Sequence, residues 1–120
     1  MTAYEKLNIA AKRLGELTEN WDGYGAPPIS RTILDRAVSL VRSALPGVRD
    51  AEAPYLVPAP CGGVQIEWHE QRGEIELYIS AGPDEIWVKD HVTGAEIEDE
   101  GENALSLFRE WAPIIAHRTT

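Results

Sequence analysis

The sequence predicts an α+β domain: two N-terminal helices, a four- or five-stranded antiparallel meander, and a C-terminal helix packed on one face of the sheet. Three observations predict it. Apolar residues recur every three or four positions before Leu45 and again after Glu102. Two central runs, Val64-Gln65-Ile66-Glu67-Trp68-His69 and Glu74-Ile75-Glu76-Leu77-Tyr78-Ile79, alternate apolar with polar residues. Glycine and proline punctuate the junctions between these patterns.

Thr2 followed by Glu5 is a capping-box pattern, and Leu7, Ala10, Leu14, Leu17 and Trp21 follow at alternating spacings of three and four, which predicts a helix over about 2–18. Its stripe is too short for a coiled-coil seam and suits packing on a sheet. The run Asn20-Trp21-Asp22-Gly23-Tyr24-Gly25-Ala26-Pro27-Pro28 excludes regular structure yet supplies large apolar surfaces. It reads as an ordered loop stapled to the fold by Trp21, with Tyr24 a candidate for the same role.

Ser30 is the expected N-cap of a second helix reaching about Leu45, with Ile33, Leu34, Ala37, Val38, Val41, Ala44 and Leu45 on one side and Pro46-Gly47 ending it. Residues 48–54 read as a connector to a short strand, Tyr55-Leu56-Val57, which Pro58 and Pro60 confine to an edge or to the entry of the sheet.

A four-residue turn at 70–73 pairs His69 with Glu74, Glu67 with Glu76 and Gln65 with Tyr78 on a wet face, and turns Trp68, Ile75, Ile66 and Leu77 to a dry one. Residues 81–84 turn the chain into a strand at 85–89, and Thr93-Gly94 turns it again into Ala95-Glu96-Ile97. The last helix, about 102–116, places Leu105, Phe108, Trp111, Ala112 and Ile115 on one face. The acidic run Glu96, Glu98, Asp99, Glu100, Glu102 lies ahead of that helix, where its dipole favours acids.

A single chain of 120 residues is expected to form one domain, long enough to fold without metals or disulfides. Twenty acidic residues against eleven basic ones give a net charge of -9, with no Lys/Arg cluster to follow a phosphate backbone. Direct binding to nucleic acid or an anionic membrane is therefore not expected, whereas a basic partner suits this charge. Cys61 is the only cysteine, so no internal disulfide can form. With no apolar leader and no run long enough to cross a membrane, a cytoplasmic protein is the expectation.

The wet face holds the candidate site residues. If the turn after Ile79 keeps Ile79 opposite Ile86, Lys89 lands beside Glu76 and Trp87 beside Tyr78, so that Lys89 compensates the like-charged pair Glu67 and Glu76. The same register puts His69, Glu74 and His91 in one row, a donor set suited to zinc or another divalent ion; the ordinary alternative is an ion-free polar surface. Motifs of catalysis are absent: no nucleophile elbow, phosphate-binding loop, His-Glu-x-x-His or Cys-x-x-Cys. Cys61 with His69 as base is the one nucleophilic pairing, and nothing accompanies it to hold an oxyanion. Glu67 and Glu76 lack the desolvated pocket that acid and base work needs. Trp68 and Trp111 fall on apolar faces and are expected in the core. Trp87 and Tyr78 form an aromatic pair ringed by charge, the composition of a protein-binding hot spot unless another segment covers it.

The loop Asn20-Trp21-Asp22-Gly23-Tyr24-Gly25-Ala26-Pro27-Pro28, followed by Val57-Pro58-Ala59-Pro60-Cys61-Gly62-Gly63-Val64-Gln65-Ile66-Glu67-Trp68-His69, resembles a group of small uncharacterised bacterial proteins. The resemblance spans most of the chain from Leu14 to Ile79 and implies one domain of intracellular bacterial or phage-related origin. It brings no activity with it. In that group the position of Cys61 is more usually a polar turn residue, which weakens a catalytic role for Cys61.

The functional expectation is a non-enzymatic interaction module of inhibitor, antitoxin or immunity type. In it Tyr78, Trp87, Glu67, Glu76 and Lys89 bind a basic protein, with nucleic-acid mimicry as a sharper form. The alternatives are a metal-binding protein or enzyme using His69, Glu74 and His91, and a homodimer formed through the strand at Tyr55 or the aromatic face.

Overall fold

The computed structural model describes residues 1–45 and 50–118. The expected helix end at Pro46-Gly47 and the first part of the 48–54 connector lie outside the described residues. Helices α1 (Ala3–Gly15) and α2 (Arg31–Ala44) precede strands β1 (Tyr55–Pro58), β2 (Val64–His69), β3 (Gly73–Ile79), β4 (Glu85–Asp90) and β5 (Glu96–Glu100), and α3 (Glu102–Ala116) follows them. The five strands form one antiparallel sheet in sequence order. No helix is long and apolar enough to cross a membrane among the described residues.

Local chemistry sets the helix starts. Thr2 Oγ1 accepts the Glu5 amide at 3.1 Å and Ser30 Oγ accepts the Ile33 amide at 3.3 Å, each satisfying an amide that the first helical turn leaves free. Helix α1 stops at Gly15, short of the expected position 18, and the Glu16 amide closes it on Arg13 and Leu14 carbonyls. All three helices lie on one side of the sheet: α1 against β1 and α2, α2 against β2 and α3, and α3 across β3, β4 and β5.

The strand alternation produces the core. Val64, Ile66 and Trp68 of β2 and Ile75, Leu77 and Ile79 of β3 are fully buried beneath Leu7, Val41, Phe108 and Ile115 of the helices. Trp68 stacks at a tilt on Phe108 with centroids 5.8 Å apart, and its Nε1 donates to the Glu52 carbonyl at 2.8 Å. Trp111, expected in the core, is only partly buried at its margin. Asp84 and Asp90 are the buried charged residues; Asp84 meets the Arg36 guanidinium and Asp90 that of Arg72.

The loop between α1 and α2 is ordered, as expected. Trp21 Nε1 donates to the Pro27 carbonyl at 2.8 Å, and Asp22 Oδ1 accepts the amides of Tyr24 and Ala26. Tyr24 staples nothing: it is 94% exposed at the loop tip, because Gly23 and Gly25 on either side take positive φ and turn it outward. The loop also abuts the β1–β2 turn, where the Ser30 amide donates to Gly62 O at 3.0 Å and Gly62, at φ 91, sits against the Pro28 carbonyl.

Two expectations about strands are corrected. The last strand runs over Glu96–Glu100 instead of 95–97, so the acidic run forms the sheet edge, and only Glu102 lies in the first turn of α3. The register of β2 with β3 is the expected one, but β3 and β4 pair Leu77 with Ile86, Glu76 with Trp87 and Glu74 with Lys89. This is two residues from the expected alignment of Ile79 with Ile86. The turn is centred one residue earlier than expected: Ser80 Oγ accepts the Gly82 amide at 3.1 Å, and Arg36 anchors Asp84 at the entry to β4. A slip of two leaves every side chain on its own face, so burial is satisfied either way.

Candidate functional site

The sheet face opposite the helices is uncovered by any described element, and side-chain alternation places the site residues on it. Strand β2 presents Gln65, Glu67 and His69; β3 presents Glu74, Glu76 and Tyr78; β4 presents Glu85, Trp87 and Lys89; β5 presents Glu96, Glu98 and Glu100. The five residues expected to form the binding face, Tyr78, Trp87, Glu67, Glu76 and Lys89, all lie here, half-buried among their neighbours.

Their neighbours differ from the expectation. Lys89 sits opposite Glu74 on one side and Glu96 on the other, so it does not compensate Glu67 and Glu76. The row through that acidic pair reads Glu67, Glu76, Trp87, Glu98. Trp87 is a diagonal neighbour of Tyr78, which faces Glu85 directly. Gln65, Glu76, Tyr78, Glu85, Trp87, Glu98 and Glu100 line an open depression of about 490 Å³ in which the indole and phenol are the large apolar surfaces. Glu98 and Glu100 escaped sequence reasoning because acids ahead of a helix have a sufficient explanation there, and Glu85 because the expected register did not set it opposite Tyr78. The period-two spacing of Glu96, Glu98 and Glu100 was the signal for a strand.

His69, Glu74 and His91 do come together, by a different route from the one expected. His69 faces Glu74 across β2 and β3, and its Nδ1 lies 2.7 Å from Glu74 Oε1. His91 follows β4, where its amide donates to Arg72 O at 3.1 Å and its Nε2 lies 3.1 Å from Glu74 Oε2. The two imidazoles thus hold opposite oxygens of Glu74 and do not converge on a shared point. The Nε2 of His69 lies 2.7 Å from Glu67 Oε1, so both ring nitrogens of His69 point at carboxylates. Glu67, then Glu74, holds the His69 imidazolium above its ordinary range against a smaller opposing effect of burial. Burial, and then the neighbouring Glu67, pushes the Glu76 carboxyl up. Glu67, His69 and Glu76 form the cluster whose donor atoms converge, all within 4.8 Å of one another.

The pairing of Cys61 with His69 is not made. Cys61 lies in the turn before β2 and His69 at the far end of that strand, on the order of 17 Å away at the strand rise. The exposed Cys61 thiol instead touches the Tyr78 hydroxyl, whose hydrogen bond, followed by that of the Gly63 amide, lowers the thiol pKa.

Both edges of the sheet are blunted against pairing with a second copy of this chain. The Ala59 amide donates to Gly63 O at 2.9 Å, so by alternation Tyr55 and Val57 bond inward to β2 and Leu56 and Pro58 face outward. Pro58 has no amide, which leaves Leu56 the only outward donor of β1. The outward residues of β5 are Glu96, Glu98 and Glu100, a row of like charge that repels its own copy. Fold and site thus define a small α+β domain with one packed face, two blunted edges and one open acidic face. Compared with protein-family models, curated proteins and solved structures, the chain matches none.

Proposed function

We propose that this protein is a binding module whose open sheet face receives a basic protein partner. One observation carries the reading: a sheet face that no described helix covers sets Trp87 and Tyr78 among glutamates contributed by four strands, with Lys89 the one lysine among them. An aromatic floor supplies contact area that becomes dry on docking, and a rim of one charge sign steers the encounter and fixes the sign of the partner. The blunted edges favour docking on the face over strand addition, and so favour a different protein over a second copy of this chain. An inhibitor, antitoxin or immunity-type protein that neutralises a basic target would work in this way.

Capture from the source cell's lysate tests the reading when three baits are compared: the native protein, Trp87→Ala with Tyr78→Ala, and Glu98→Lys with Glu100→Lys. The expected result is one basic protein held by the native bait, released as salt rises, and lost by both folded variants. A protein held equally by all three baits, or no specific protein at all, refutes the reading.

A further inference from the structure

We propose that the open face also holds a divalent transition-metal ion, represented by zinc, through the carboxylates of Glu67 and Glu76 and Nε2 of His69. Three features of geometry carry this site, independently of the protein-partner reading.

The first is convergence. Glu67 and Glu76 are direct cross-strand partners at a position where the two strands do not exchange backbone hydrogen bonds. Such pairs bring side chains closest. His69 follows two residues later on the same face, and the donor atoms of the three lie within 4.8 Å of one another. Donors around one zinc ion stand at most about 4.2 Å apart, twice the bond length, so rotation of the two carboxylates closes the site.

The second is orientation from behind. Glu74 Oε1 lies 2.7 Å from His69 Nδ1, and a carboxylate there accepts a hydrogen bond from Nδ1–H, which keeps that proton on Nδ1 and leaves Nε2 as the ligand atom. His91 in turn holds the other oxygen of Glu74 at 3.1 Å. Gln65 Nε2 donates to Glu67 Oε2 at 2.8 Å, which leaves Oε1 facing the ion. The expected ligands Glu74 and His91 are therefore supports, and Glu67 and Glu76 take their place.

The third is charge. Glu67 is met by His69 Nε2 and Gln65 Nε2, whereas Glu76, which faces it, makes no side-chain hydrogen bond or ion pair among the described residues, so the second negative charge has no partner of its own. A divalent cation neutralises both, and the proton on Nε2 leaves as the ion takes its lone pair. An imidazole with two carboxylates suits zinc and its neighbours better than magnesium or calcium, which favour oxygen ligands alone. Three protein ligands leave a fourth position open on the exposed side.

Calorimetric titration of the whole, chelator-treated chain with zinc chloride tests the site, with each variant first shown by circular dichroism to be folded. One zinc ion per chain is expected. Glu76→Gln and His69→Gln should each weaken binding at least about tenfold, and Glu74→Gln, at a residue that holds the imidazoles of His69 and His91 and is not itself a ligand, about 10–100-fold. Glu98→Gln, elsewhere on the same face, should leave binding unchanged. Glu76→Gln removes a like charge and keeps the fold, so it decides the matter if His69→Gln misfolds. No saturable binding at millimolar zinc overturns the proposal. So does binding that survives Glu76→Gln and is lost in His91→Gln.

Discussion

On the helix-covered face of the sheet the two buried carboxylates, Asp84 and Asp90, each meet a guanidinium, whereas on the open face Glu76, Glu85, Glu98 and Glu100 form no ion pair among the described residues. The difference follows from solvent. A carboxylate out of water must be paired and hydrogen-bonded, and Asp90 is held by Arg72, the Val92 amide and the Thr93 hydroxyl. A glutamate in water needs no partner, so folding leaves the composition of the open face unconstrained. Stability of the fold therefore does not require an excess of one charge sign around the two aromatics.

The comparison breaks most visibly at the aromatics. Trp68→Ala, which empties the site against Phe108, should cost about 3–5 kcal/mol in chemical denaturation. Trp87→Ala on the open face should cost less than half of that, and equal losses would mean that the open face is structural. Next come the acids. Asp84→Asn weakens the partner of Arg36 and should cost about 1–3 kcal/mol, while Glu98→Gln should stay within about 0.5 kcal/mol of the native protein. In metal-free protein, Glu76→Gln should stabilise by about 0.2–1 kcal/mol, because it removes a like charge facing Glu67.

The smallest effect is in pH, where the two faces should respond in opposite windows. Because Glu67 and Glu74 raise His69 above its ordinary 6.5, its contribution is complete below that value and is lost as pH rises through the higher folded value. Burial opposes ionisation of Asp90, but the Val92 amide, the Thr93 hydroxyl and Arg72 outweigh it and hold the carboxyl below its ordinary 3.8. That contribution is present above 3.8 and is lost as pH falls through the lower folded value. Urea midpoints measured against pH should show both flanks, and His69→Gln should flatten the alkaline one while leaving the Asp90 contribution to the acid one in place. An imidazole resonance of His69 titrating at or below 6.5 would contradict the carboxylate clamp.

Much of this was legible in the chain. Thr2 and Ser30 mark their helices by capping chemistry, and the alternation from Val64 to Ile79 assigns each side chain of the hairpin to its face. The β2–β3 register was legible too, because the short turn at 70–73 leaves little freedom. The β3–β4 register was not, since both alignments bury the same residues and the choice fell to Arg36 reaching Asp84 from a helix 48 positions away. The acidic edge was misread because a helix start and a strand edge both accept glutamate, and the way His91 meets Glu74 was not legible because His91 reaches it from outside the strand it follows.

By itself the sequence determined the α+β class, the order of the elements and the separation of a dry face from a wet one, since those depend on the local periodicity of apolar residues. Tertiary structure alone decided which acids stand beside one another, that Lys89 stands opposite Glu74 and Glu96 and not Glu76, and that Glu67, His69 and Glu76 converge. Burial is read from one strand at a time, whereas a site is made where neighbouring strands align, and that alignment is set by turns and by contacts distant in the chain.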